Sequence, residues 1–275
     1  MVETRLEPSL RTTQCGMVRT KGVLVDIDGV LVVSWEPIPG AVEAMRVLRD
    51  LGPGVRFLTN TTSRSRAEIG RTLRHVGIDA EDGEVLTAGV ATANYLARER
   101  PRARCLVLNE GPLDDLGELR IVRPGERADV VVVGSAGPSF SWDALNVAAR
   151  SLLDGAELIA MHGTSSWRTK DGLCVDGGAY VAALERATGR TATVVGKPSP
   201  TMFHEALAGL DLDAASTVMV GDDLTNDVLA AQHVGIAGVL VRTGKFRAET
   251  LDTSPRHPDA VLDSVADLPS WLAEH

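Results

Sequence analysis

Cysteine is scarce in this chain. Cys15, Cys105 and Cys174 are odd in number and far apart, which excludes a disulfide framework and the paired spacing of a zinc site, so they are expected to be small buried or incidental thiols. Long apolar runs are missing too. No stretch approaches the roughly 18 residues of a membrane span, and the first residues lack a compact apolar signal segment. A cytoplasmic location follows as the expectation. Positive charge is in deficit, with 28 Lys and Arg against 37 Asp and Glu and a net charge of -9. That balance argues against non-specific partnership with nucleic acid or a membrane surface, both of which favour a basic face. Internal repeats and low-complexity segments are absent as well.

What is present suits a large core, since 44% of the 275 residues are hydrophobic and 24% are charged. From residue 22 short β-branched runs alternate with helix-length amphipathic stretches, the pattern of a parallel sheet covered by helices. The fold class is therefore α/β. Val23 to Val25 reads as a first strand, and Ala41, Ala44, Val47, Leu48 and Leu51 recur at helical spacing until Gly52-Pro53-Gly54 stops them. Val55 to Leu58 makes a second strand, and Arg66 to His75 a second helix. A charge cluster with Pro101 breaks the rhythm. Residues 100–191 are expected to form an inserted α/β unit, with 18–99 and 192–275 as the main unit and 1–17 as a flexible tail in which Met17 offers an alternative start. After the insertion, Val194-Val195 is expected to lead back into the main unit, and Val239 to Val241 to close its sheet.

Three strand ends of the main unit carry polar groups: Asp26 and Asp28, Thr59 and Asn60, and Asp222 and Asp223. Ligands of open parallel sheets bind outside the carboxyl ends of their strands, so these groups and Lys197 are candidates for one site. Two acids at the tip of a buried strand suffer desolvation and mutual repulsion, a cost explained by a cation or a reaction. Converging carboxylates are hard oxygen ligands that suit Mg²⁺, and a hydroxyl, backbone N–H groups and a lysine are the matching ligands of a phosphoryl group. One aspartate could attack phosphorus, and another two residues on could manage the proton.

Each piece has a plain structural alternative. Asp-x-Asp-Gly can be only a turn, Thr59-Asn60 only a helix cap in competition with Ser63 and Ser65, Lys197 only a loop charge, and Asp223 with Asp227 a capped helix start. Their joint occurrence in one order resembles the haloacid dehalogenase superfamily. Asp26-Ile27-Asp28-Gly29-Val30-Leu31 is similar to its first motif, Leu58-Thr59-Asn60 to its second, Lys197 in Gly-Lys-Pro to its third, and Gly221-Asp222-Asp223 with Asp227 to its fourth.

The resemblance implies a core of Rossmann-like parallel sheet and a set of roles. Asp26 would be the nucleophile and a Mg²⁺ ligand, Asp28 the general acid/base whose backbone carbonyl also reaches the metal, and Asp222 the third metal ligand. Thr59 and Asn60 would bind the phosphoryl group, and Lys197 would neutralise both it and Asp26. Asp223 and Asp227 would act from behind, through water or by orienting Lys197. Flap elements would occupy Val30 to Pro39.

An insertion between the second and third motifs resembles the C2-type cap of subfamily IIA, and Val194 to Pro200, Val218 to Asp223 and Val241 to Arg247 look like the group of the phospholysine phosphohistidine inorganic pyrophosphate phosphatase and the HAD-like hydrolase domain-containing protein 2. The implied activity is Mg²⁺-dependent hydrolysis of a small phosphorylated metabolite through an aspartyl-phosphate, in a chain that could form a homodimer. A phosphotransferase or mutase on the same scaffold and a non-catalytic phosphometabolite-binding regulator are the alternatives. Readers of the leaving group are sought at His162, Trp167, Arg168, Lys170 and Asp176 to Tyr180, and Arg242 and Lys245 are candidates for the rim.

Overall fold

The computed structural model describes residues 20–117, 119–169 and 172–274. The tail expected over 1–17, with Cys15 and Met17, and Lys170 lie outside the described residues. Two parallel sheets organise the chain. The larger has six strands, ordered Ala260–Leu262, Ala237–Val241, Thr217–Gly221, Gly22–Asp26, Gly54–Thr59 and Val85–Thr87. Chain order runs outward in both directions from Gly22–Asp26, so the gap between that strand and Thr217–Gly221 is the switch point at which α/β sheets open a crevice.

Burial explains why these segments are strands and why they read as unbroken apolar runs rather than alternating ones. Val23, Leu24 and Val25 are all fully buried. Val23 and Val25 pack with Ala41, Met45 and Leu48 of the Ala41–Leu51 helix on one face, while Leu24 packs with Met202, Phe203 and Ala206 of the Pro200–Leu210 helix on the other. The Arg66–His75 helix starts at Ser65, whose hydroxyl accepts from Glu68 N at 3.3 Å while Ser65 N donates to the Glu68 carboxylate at 3.0 Å. This reciprocal cap leaves Thr59 and Asn60 free of capping duty.

The second sheet has five parallel strands, ordered Thr193–Val194, Glu157–Ala160, Val130–Val133, Arg104–Leu108 and Arg120–Ile121. One of its faces joins the apolar cluster of the first unit through Cys105, Val130, Val132 and Ile159, and the other is covered by the Trp142–Leu153 and Gly177–Thr188 helices. Two expectations are corrected. Thr193–Val194 pairs with Ile159 and Ala160 of the second sheet instead of opening the return to the first. Ala237–Val241 does not close the first sheet, because Ala260–Leu262 pairs outside it. Both errors concern very short or partly buried strands, in which two or three residues carry no period. Two antiparallel hairpins, Val32–Val33 with Glu36–Pro37 and Ser166–Thr169 with Gly172–Val175, project from the two units. Among the described residues no helix is long and apolar enough to cross a membrane.

Candidate active site

Asp26, Thr59 and Gly221 end three strands, two of which flank the Gly22–Asp26 strand, so register alone brings the first, second and fourth motifs to one rim of the sheet. Lys197 arrives from the loop before the Pro200–Leu210 helix and is buried. Its ammonium donates to Asp26 Oδ1 and lies 2.7 Å from Asp227 Oδ1. Asn60 ties that loop down, because its Nδ2 donates to the Lys197 carbonyl at 2.8 Å. Thr59 is buried and its hydroxyl accepts from Thr61 N at 3.1 Å, which turns the chain directly after the strand. Asp28 is half-buried and receives the Thr61 hydroxyl at 3.5 Å. Asp223 caps the next helical segment, accepting from Thr225 N and Asn226 N at 3.1 and 3.0 Å.

The electrostatics follow from this crowding. Burial pushes Asp26 above the usual carboxylate range and the Asp222 charge adds to the rise, against the pull of Lys197. Burial also drives Asp222 and Asp227 up to about 6 each. Burial opposes the Lys197 ammonium, but Asp227 and Asp26 outweigh it and hold its pKa above the ordinary lysine value. Lys197 and Lys245 therefore face three carboxylates, Asp26, Asp222 and Asp227, an excess of negative charge that a divalent cation would relieve.

The donor set fits such an ion. Carboxylate oxygens of Asp26, Asp222 and Asp227 lie within 4.8 Å of one another, and Asp222 Oδ1 is a buried oxygen with no hydrogen-bond partner. Asp222 Oδ2 is held by Lys245 N at 2.7 Å, which fixes the direction of the free oxygen. Two glycines keep that carboxylate uncrowded: a Cβ on Gly29 (φ 88°) or Gly244 (φ 56°) would stand 2.0 or 1.9 Å from Asp222 Oδ2. An all-oxygen set of this kind suits Mg²⁺. The Asp28 side chain stands outside the three-carboxylate group, whereas Asp227, expected to act from behind, is inside it.

Above the strand tips is a cavity of about 1230 Å³ whose walls come from both units. Thr62 links them: its hydroxyl donates to Ser135 Oγ at 2.8 Å and accepts from Ser135 N at 2.9 Å. Of the residues sought as leaving-group readers, His162 and Asp176 line the cavity. Tyr180 instead packs edge-on against Phe140, with 4.9 Å between ring centres. The structure describes Trp167 and Arg168 only as backbone of the Ser166–Thr169 strand. Lys245 lines the cavity, whereas Arg242 sits outside it, 3.7 Å from Asp263 in an exposed pair. Sequence reasoning missed Trp35, Arg64 and Ser135, which line the same cavity. No periodicity marks them; the available signal was their position within a few residues of the first two motifs and after the Val130–Val133 strand.

A sequence profile described as haloacid dehalogenase-like hydrolase matches residues 23–119, and a second, HAD-hydrolase-like, matches residues 194–268. Haloacid dehalogenase-like hydrolase domain-containing protein 2 of Homo sapiens is 42% identical over 255 residues, 93% of this chain and 96% of that protein. The chain belongs to the haloacid dehalogenase superfamily. Within it, the inserted second unit and the structural relatives place it among the C2-capped members of subfamily IIA. Phospholysine phosphohistidine inorganic pyrophosphate phosphatase of Rattus norvegicus is 36% identical over 261 residues, covering 93% of this chain and 95% of that one. The p-nitrophenyl phosphatase from Archaeoglobus fulgidus superposes with a TM-score of 0.85 at 35% identity, covering 92% of this chain and 99% of that one.

Proposed function

We propose that this chain, a phosphatase by family, hydrolyses a small phosphorylated metabolite in a Mg²⁺-dependent reaction that passes through a phosphoryl group on Asp26. The observation that carries this reading is the Lys197 ammonium set against Asp26 at the rim where three strands end. In the first step an Asp26 oxygen forms a bond to phosphorus while the bond to the leaving oxygen breaks, and Asp28 gives that oxygen its proton. In the second, Asp28 takes a proton from water, the resulting oxygen bonds to phosphorus, and the acyl phosphate breaks to release phosphate and restore Asp26. Thr59 and Asn60 hold the phosphoryl oxygens, with Asn60 also securing the Lys197 loop. Asp26, Asp222 and the Asp28 carbonyl would hold Mg²⁺, which when bound supplies charge neutralisation to the transferring group. Asp227 positions Lys197, and Asp223 supports the turn that carries Asp222.

The same reading assigns the catalytic core to 18–99 and 192–275 and the cap to 100–191, although Thr193–Val194 pairs with the sheet of the second unit. It includes a cytoplasmic enzyme with a net charge of -9, unsuited to nucleic-acid or membrane partners, in a chain that could form a homodimer. Its test is Asp26→Asn, which should cut p-nitrophenyl phosphate hydrolysis with Mg²⁺ by about a thousandfold or more while leaving the circular dichroism spectrum unchanged. Full activity in that variant would remove Asp26 as nucleophile.

A further inference from the structure

The cavity holds a cation that the proposed phosphoryl chemistry does not use. Lys197 is committed to Asp26 and Asp227, and the Lys245 ammonium stands in the field of Asp26, Asp222 and Asp227. Arg64 differs from both. Among the described residues its guanidinium makes no ion pair and no hydrogen bond, yet it is half-buried in the cavity wall. What holds it is Trp35, since the Arg64 Cζ lies 4.4 Å from the centre of the indole ring. A guanidinium stacked on an aromatic face keeps its edge, and hence its N–H donors, free for a planar anion.

Trp35 is itself held in place at a cost. Ser34 and Trp35 form the turn between Val32–Val33 and Glu36–Pro37 with φ of 53° and 67°. A left-handed conformation is unfavourable for a residue as bulky as tryptophan and persists where the surroundings impose it. The turn aims the indole over the strand tips, where it lines the cavity with Asp26 and Asp28. Arg64 lines the cavity together with Asp28, the carboxyl that protonates the leaving oxygen in the proposed reaction, and its charge acts on that carboxyl. Two acids of the cavity wall already accept hydrogen bonds. Asp176 Oδ1 accepts from Ala136 N and Gly177 N at 2.9 and 2.8 Å, and Glu110 accepts from Ser139 N at 3.1 Å and from its hydroxyl.

We infer that Arg64, presented by Trp35, is a specificity-determining residue that binds a second negative charge on the leaving group. The preferred substrates are phosphate compounds whose departing half carries a carboxylate or a further phosphate. The inference rests on the proposed hydrolysis at Asp26, and its test separates the two. The full-length enzyme is assayed with Mg²⁺ on p-nitrophenyl phosphate, on the matched pair phosphoglycolate and 2-hydroxyethyl phosphate, and on inorganic pyrophosphate.

Wild type should show at least about a tenfold higher kcat/KM for phosphoglycolate than for its uncharged partner, or the same advantage for pyrophosphate, and the arm showing it identifies carboxylate or phosphate as the second anion. Arg64→Gln should erase that advantage, mainly through KM, while p-nitrophenyl phosphate turnover stays within about twofold. Arg64→Lys should restore part of it, because the charge returns without the planar fork. Trp35→Leu should lower the same preference with Arg64 intact. A wild type indifferent to the second anion, or an Arg64→Gln variant that loses activity equally on every substrate, overturns the role of Arg64. Failure of wild type on all four substrates overturns the hydrolysis itself, and the inference with it.

Discussion

Lys197 binds two carboxylates at once: its ammonium contacts Asp26 and lies 2.7 Å from Asp227 Oδ1, with the side chains of Lys197 and Asp227 only 5% and 3% exposed. A buried lysine shared in this way is fixed in direction by both acids. Removing either partner would leave an uncompensated buried charge. The relationship also ties the third motif, through Lys197, to the fourth, within which Asp227 Oδ2 accepts from Asp223 N at 3.2 Å.

Asp227→Asn is accordingly expected to keep the fold and lose both functions of that carboxylate. Weaker positioning of Lys197 and one charge fewer beside Asp222 should raise the Mg²⁺ concentration for half-maximal activity by about 10- to 100-fold. A Mg²⁺ titration of p-nitrophenyl phosphate turnover, paired with calorimetric Mg²⁺ binding, checks it. An unchanged Mg²⁺ requirement would confine Asp227 to structure.

Gly29→Ala tests the close approach behind Asp222. The new Cβ would lie 2.0 Å from Asp222 Oδ2 at a backbone φ of 88°, so the carboxylate must swing away from Lys245 N. Backbone strain alone costs about 1 to 3 kcal/mol, and the displaced carboxylate should weaken Mg²⁺ binding as well. Urea unfolding gives the first effect and Mg²⁺ titration the second. Ala at the open position Gly52 would confirm the source, since φ there is also positive, 87°, but nothing lies within 4 Å. That variant should lose stability without losing metal affinity.

His162 should make the protein acid-labile in a defined window. The ring is buried, its Nδ1 accepts from Thr164 N at 3.3 Å, and burial holds its pKa below the ordinary histidine value despite the nearby Asp176. A depressed histidine binds its proton more readily in the unfolded chain. Its contribution is therefore intact above the unfolded pKa of about 6.5 and lost as pH falls below it toward the folded value. Urea midpoints measured between about pH 7.5 and pH 5 should decline in wild type and decline less in His162→Gln. Parallel curves for the two proteins would show that another group sets the acid limb.

Much of the fold and most of the rim could be read from the residues because each depends on local pattern. Val23 to Val25, Val130 to Val133 and the Arg66–His75 helix carry their burial in their own periodicity or apolar run. The sequence pattern assigns Val194 to the wrong unit and misses Ala260–Leu262, because strands of two and three residues are defined by their neighbours and not by themselves. The motif residues Asp26, Thr59 and Asp222 could be expected together because residues at the carboxyl ends of parallel strands must share an edge.

By itself, then, the sequence determined the α/β class, the three strand tips and the chemistry their side chains favour, since these follow from residue type and short-range spacing. Only the tertiary structure decided that Asp227 stands with Asp26 and Asp222, that Gly29 and Gly244 make room for Asp222, and that Arg64 lies over Trp35. The physical reason is distance along the chain: these contacts join turns, loops and a hairpin up to 215 positions apart in the order of residues 29 to 244, and no local propensity encodes which loop meets which. Strand order supplies that information, because it brings the loops after Asp26, Thr59, Gly221 and Val241 to one rim.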